Sequence, residues 1–145
     1  MIKGTLLIVD DNKSVISALE MMLQYDVEKT VSIRDPNRIY EILRQNEIDI
    51  VLLDMNFQAG INSGNEGLFW MKEILKHDSN ISVVMITAYG DVELAVKAIH
   101  EGAVDFILKP WDNSKLLATL NAAWKLRTSR QEALSLKKDN QYLKK

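Results

Sequence analysis

Two hydrophobic periods alternate along the chain. Thr5–Val9, Lys29–Ile33, Asp49–Leu53, Ser82–Ile86 and Val104–Leu108 are short runs rich in Val, Ile and Leu, and they predict strands. Three of them are almost continuously apolar, the pattern of a strand covered on both faces. Between them lie Ser14–Gln24, Pro36–Gln45, Leu68–His77 and Val92–His100, where apolar residues recur three, four or seven positions apart. Val15, Leu19, Met22 and Leu23 form one such stripe, and Leu94, Ala95, Ala98 and Ile99 another.

Boundary residues agree with this division. Asp35-Pro36 pairs a capping side chain with a proline in the first turn. Gly90-Asp91 opens the fourth helix and Gly102 follows its end. Asp112, Asn113 and Ser114 are candidate caps for a fifth helix. Strand and helix repeated five times over short links predict an α/β fold: a doubly wound, five-stranded parallel sheet with helices on both faces. Ligands in such sheets sit beyond the carboxyl ends of the strands, so those ends carry the chemistry.

Strand one ends in Asp10-Asp11, strand three in Asp54, strand four in Thr87 and strand five in Lys109-Pro110. A parallel sheet brings all of them to one edge. Three carboxylates together repel, and each raises its neighbours' pKa. A cation must compensate. Oxygen ligands without His or Cys favour a hard ion, Mg²⁺ or Mn²⁺. Lys109 adds an ammonium and Thr87 a hydroxyl, a set that suits a phosphoryl group attached to a carboxylate.

Composition narrows the setting. With 145 residues, 47% hydrophobic, the chain has room for one domain and an appendage. It has no cysteine, which excludes thiolate metal sites and disulfides. Its apolar runs are too short to cross a bilayer, and its first residues lack the apolar stretch of a signal peptide, so a cytoplasmic location with no membrane contact is expected. The net charge of −2 divides unevenly: residues 1–124 carry 11 Lys/Arg and 18 Asp/Glu, whereas residues 125–145 carry seven and two. An acidic body with a basic tail implies two parts with different roles.

Four motifs together resemble the receiver domain of bacterial two-component response regulators. They are Leu7-Ile8-Val9-Asp10-Asp11, Val51-Leu52-Leu53-Asp54, Met85-Ile86-Thr87-Ala88 and Gly102-Ala103-Val104-Asp105-Phe106-Ile107-Leu108-Lys109-Pro110. The resemblance covers roughly residues 3–125 and implies the flavodoxin-like receiver topology. It implies that Asp54 accepts a phosphoryl group from a sensor histidine kinase. Asp11 and Asp54 would ligate Mg²⁺ directly, Asp10 mainly through water, and the backbone carbonyl of Asn56 would complete the protein ligands. Thr87 and Lys109 would bind phosphoryl oxygens, the Lys109–Pro110 bond would be cis, and Phe106 would be an aromatic switch coupled to Thr87.

The chain departs from the family's pattern beside the reaction centre. No proline follows Asp54, and Gly67-Leu68 comes 13 residues after it, later than in the family. The segment from Met55 to Gly67 holds three glycines and is expected to slow the access of water or kinase to Asp54. Tyr89, two residues past Thr87, is a candidate modulator that would hinder in-line attack by water.

Beyond the body, no Gly or Pro occurs from Asn113 to Lys145, so the fifth helix is expected to continue as an arm. Leu126, Ser129, Ala133, Leu136, Asn140 and Leu143 alternate three and four apart, the seam of a parallel dimeric coiled coil with Asn140 at a register-fixing position. The expected division is a receiver over 1–124 and a helical linker over 125–145. Such an extension resembles the connector to the ATPase in AAA+ enhancer-binding transcription activators, with DNA contacted only through an output domain outside this chain.

The reading is therefore a phosphorylation-controlled, Mg²⁺-dependent signalling module that is not an enzyme, acting through a homodimer. A stand-alone phosphorelay or adaptor receiver is the alternative. An aspartyl-phosphate phosphatase would want an acid two residues after Asp54, where Asn56 stands. A flavodoxin-like cofactor binder would want a phosphate loop after strand one, where Asp10-Asp11-Asn12 is anionic.

Overall fold

The computed structural model describes residues 1–55 and 65–143, without the side chains of Asn65, Tyr89 and residues 139–143. Five strands, β1 (Ile2–Val9), β2 (Val27–Ile33), β3 (Ile50–Asp54), β4 (Ser82–Ala88) and β5 (Asp105–Lys109), form one parallel sheet in the order β2-β1-β3-β4-β5. They alternate with helices α1 (Lys13–Leu23), α2 (Ile39–Gln45), α3 (Asn65–His77), α4 (Val92–His100) and α5 (Asn113–Leu143). The doubly wound α/β fold expected from the sequence is the one observed.

Each strand feeds two cores because its side chains alternate between faces. Leu7, Val9, Val51, Leu53, Val83 and Met85 pack against α2, α3 and α4 through Ile39, Leu43, Met71, Ile74 and Ala98. Leu6, Ile8, Leu52, Val84, Ile86 and Ile107 pack on the opposite face against Ile16 and Leu19 of α1 and Leu116, Leu120 and Ala123 of α5. Burial on both faces explains why β3 and β4 read as unbroken apolar runs.

Some boundaries differ from the sequence reading, each for a local reason. β1 begins at Ile2, which is buried beside Val27, with the register shifting before Thr5. The segment expected as one helix from Pro36 opens as a 3-10 turn, Pro36–Arg38, whose Asp35 side chain accepts from the Asn37 amide; α2 starts at Ile39. A similar turn, Tyr89–Asp91, precedes α4. Asp112 is the cap of α5, accepting from the amides of Ser114 and Lys115. Thr87 and Asp54 lie within their strands, so backbone hydrogen bonding holds them in place.

Two glycines are fixed by geometry. Gly102 follows α4 at φ +130°, a conformation that L side chains avoid, and it ends the helix. Gly67, near the start of α3, donates its amide to the Met55 carbonyl at 3.2 Å. A Cβ there would lie 2.8 Å from the Met55 Cα and 3.1 Å from the Asp54 carbonyl oxygen. Helix α3 thus rests directly on the backbone that carries Asp54. Gly67→Ala should therefore destabilise the fold by about 1–3 kcal/mol, the usual cost of overpacking against an unyielding backbone. Urea denaturation checks this; an unchanged midpoint would mean α3 shifts freely.

Candidate functional site

The strand order reverses direction at β1, which lies between β2 and β3. This is the switch point at which α/β sheets open a crevice. Val9 pairs with Leu53, so Asp10 and Asp54 emerge side by side, and Asp54 pairs in turn with Ile86, next to Thr87. Lys109 pairs with Ala88 at the end of β5. The sheet register alone assembles the expected set.

Oxygen atoms of Asp10, Asp11 and Asp54 lie within 4.8 Å of one another. Asp10 is fully buried, Asp54 is buried, and Asp11 is partly exposed. The Lys109 Nζ donates to Asp10 Oδ2 at 3.1 Å and to Asp54 Oδ1 at 3.5 Å. Asp10 Oδ1 accepts the Asn12 amide at 2.9 Å, and the Asn12 side chain caps α1. Both Asp10 oxygens are thus engaged, whereas Asp11 faces the open side. Arg34, after β2, donates its Nε to the Asp11 carbonyl at 3.2 Å. A cleft of about 380 Å³ beside Asp11 is lined by Arg34, Asp35, Pro36, Asn37, Glu66 and Trp70.

The electrostatics follow from this crowding. Burial pushes the Asp11 carboxyl above its ordinary value, and the Asp10 charge adds to the push; Lys109 and Arg34 oppose it. Burial pulls Lys109 down, but the Asp54 and Asp10 charges outweigh it, and the ammonium is held above the ordinary lysine value. The charge balance remains incomplete, with three carboxylates around one ammonium. Octahedral Mg²⁺ holds its oxygens at about 2.1 Å and takes one or two carboxylates. An all-oxygen set of this spacing fits such an ion.

The remaining expected residues fall as follows. Thr87 is buried at the end of β4, its hydroxyl 3.5 Å from the Ala88 carbonyl. Phe106 is half-buried and packs against the core beneath α3 and α4. The Lys109–Pro110 bond is cis. The Asn56 carbonyl, most of the long segment after Met55 and the Tyr89 side chain lie outside the described residues. Asn12 and Arg34 were not singled out in the sequence. Asn12 had a legible signal, a capping residue directly before a helix; Arg34 had none, because only the fold brings β2 beside Asp11.

Comparison with known proteins agrees with this arrangement. The family model for the response regulator receiver domain matches residues 6–121. The N-terminal signal receiver domain of a two-component response regulator from Bacteroides fragilis is 46% identical, with a TM-score of 0.77 over 84% of this chain and 97% of that one. The response regulator protein PilR of Pseudomonas aeruginosa is 33% identical over 87% of this chain. The transcriptional regulatory protein ZraR of Escherichia coli is 35% identical over 81% of it. The chain spans only 27% and 26% of the lengths of PilR and ZraR.

The raised pKa of Asp11 has a definite sign. An acid that is harder to ionise when folded destabilises the fold above its raised pKa, and the penalty vanishes below the unfolded value near 3.8. Asp11→Asn should therefore be more stable than the native chain at pH 7 without divalent ions, and equal to it near pH 3.5. Added Mg²⁺ should raise the urea midpoint of the native chain and leave the variant unmoved. A variant less stable than the native chain at pH 7 would overturn this account of the cluster.

Proposed function

The chain belongs to the response-regulator receiver family, and on that premise we propose that Asp54 accepts a phosphoryl group from the phosphohistidine of a sensor kinase. The observation that carries this is the Lys109 ammonium between Asp10 and Asp54, inside a cluster of three carboxylates. An Asp54 oxygen attacks phosphorus, the P–N bond breaks, and the imidazole leaves with the electron pair. Lys109 supplies a fixed positive charge for the phosphoryl oxygens, and the Thr87 hydroxyl a hydrogen-bond donor. Asp11, Asp54 and the Asn56 carbonyl, with Asp10 behind them, would hold Mg²⁺, whose charge would offset the negative charge that gathers there.

Thr87 and Phe106 then bias an existing equilibrium between two conformations. The readout is dimer geometry. Helix α4 exposes Val92, Val96 and Ile99 at helical spacing, an apolar stripe beside β5. Helix α5 runs unbroken for 31 residues to Leu143, about 46 Å at 1.5 Å per residue. On its arm Ser129 and Ala133 are exposed, and Leu136 is 64% exposed. A second copy zipped along this seam would cover them. In this reading residues 1–124 are the receiver, residues 125–145 are the linker, and the output is a transcription-regulating AAA+ module of the enhancer-binding kind. Among the described residues no helix is long and apolar enough to cross a membrane.

Intact mass after incubation with Mg²⁺ and a small acyl phosphate tests the acceptor. We expect a single phosphoryl adduct, lost in Asp54→Ala and lost on chelation; an adduct that survives Asp54→Ala refutes the assignment. Sedimentation tests the seam. Leu136→Glu should raise the dimer dissociation constant at least about tenfold, equivalent to 1.4 kcal/mol; an unchanged constant would place the contact elsewhere.

A further inference from the structure

At the opposite end of the sheet from the acidic cluster lies a second group of charges. Arg127 of α5 is 2% exposed. Its Nε donates to Asp49 Oδ1 at 3.2 Å, its Nη1 to Asp78 Oδ2 at 2.8 Å, and its Nη2 to the Ile48 carbonyl at 3.4 Å. The other Asp49 oxygen accepts the Thr5 amide of β1 at 2.9 Å. Burial pushes Asp78 up, but the Asn80 amide together with the hydrogen bond and charge of Arg127 outweigh it and hold the carboxyl below its ordinary value. A buried guanidinium gripped from three sides forms a rigid, directional junction, because losing one partner strands a charge.

The partners' places in the chain give this junction its meaning. Asp49 immediately precedes β3, and Asp54 ends it. Asp78 immediately follows α3, whose other end rests through Gly67 on the Asp54 and Met55 backbone. Arg127 therefore holds the far ends of the two elements that carry the proposed acceptor. It also sits where α5 leaves the body: Leu116, Leu120 and Ala123 are buried before it, and residues 132–138 are exposed beyond it.

We propose that Arg127 is a positioning residue that clamps the helical arm to the strand–helix unit bearing Asp54, so that the two move as one body. The clamp rests on the receiver reading only for what the arm transmits. It provides a connection separate from Thr87 and Phe106, which lie on β4 and β5. It also fixes the rotation of α5, because Arg127 points into the body while Ser129 and Ala133 of the seam face solvent.

Intramolecular spin-label distances test this. The chain has no cysteine, so Lys76→Cys on the last turn of α3 and Ser135→Cys on the arm give a unique pair. Labelled chain is diluted into excess unlabelled chain to leave only intramolecular distances. The native background should give one narrow distribution. Asp78→Asn and Arg127→Lys should each widen it about two-fold or more while keeping a cooperative thermal transition, since Asp78 is a third exposed and Lys keeps the charge. Thr87→Ala should leave the width unchanged. Native width in both clamp variants would overturn the proposal, as would widening in Thr87→Ala. An absent phosphoryl adduct with the expected widths would refute the receiver reading and leave the clamp standing.

Discussion

Three carboxylates held at one sheet edge are the constraint around which the rest of the molecule is arranged. Their mutual repulsion is a cost that folding must offset, and the fold offsets it in part with one half-buried ammonium. That balance is incomplete: one ammonium, with the Arg34 charge nearby, does not neutralise three carboxylates, and the all-oxygen set fits a further cation. Rigid placement makes this tolerable. Asp54 and Thr87 are strand residues, Asp10 is pinned by the Asn12 amide, and the buried apolar sheet leaves them no way to splay apart.

A mirror of this arrangement closes the other end of the sheet. There one buried guanidinium is held by two carboxylates and a carbonyl, with the exposed Glu47 carboxylate 4.0 Å away. The first cluster opens through Asp11 onto a cleft, whereas the guanidinium of the second is buried, so the first is suited to binding and the second to holding. Strand β3 joins them directly, with Asp49 before one end and Asp54 at the other. Helix α3 joins them in parallel, resting on Met55 above and reaching Asp78 below.

Much of the first cluster was legible because it depends on strand ends, and strand ends are marked by an abrupt change from apolar runs to Asp, Thr and Lys. The second was not, because Asp49 reads as the first residue of a strand, Asp78 stands where acidic residues ordinarily cap turns, and Arg127 reads as part of a basic tail. A signal did exist. Arg127 continues the spacing of Leu116, Leu120 and Ala123, so it falls on the buried stripe of α5, where an arginine requires partners. The helix boundary near Pro36 was misplaced by a turn for a different reason, whereas α4 spans Val92–His100 as expected. Capping and proline signals mark where a chain begins to coil but do not separate a 3-10 turn from an α-helix.

The length of α5 gives these two charge clusters a common purpose. An isolated helix as short as its exposed portion is marginal in water, so the arm's order must come from its root or from a partner. The root is the buried stripe that ends in Arg127, and the proposed partner face is the seam on which Ser129, Ala133 and Leu136 are exposed. A chemical change at Asp54 alters charge at one end of β3 and α3; the arm is anchored at the other end of both. Because the interior is close-packed, such elements shift between discrete arrangements instead of deforming smoothly. On the proposed reading, a small displacement at the acidic edge would become a change of direction in the part of α5 beyond Arg127, a form of output that needs no catalysis within this domain.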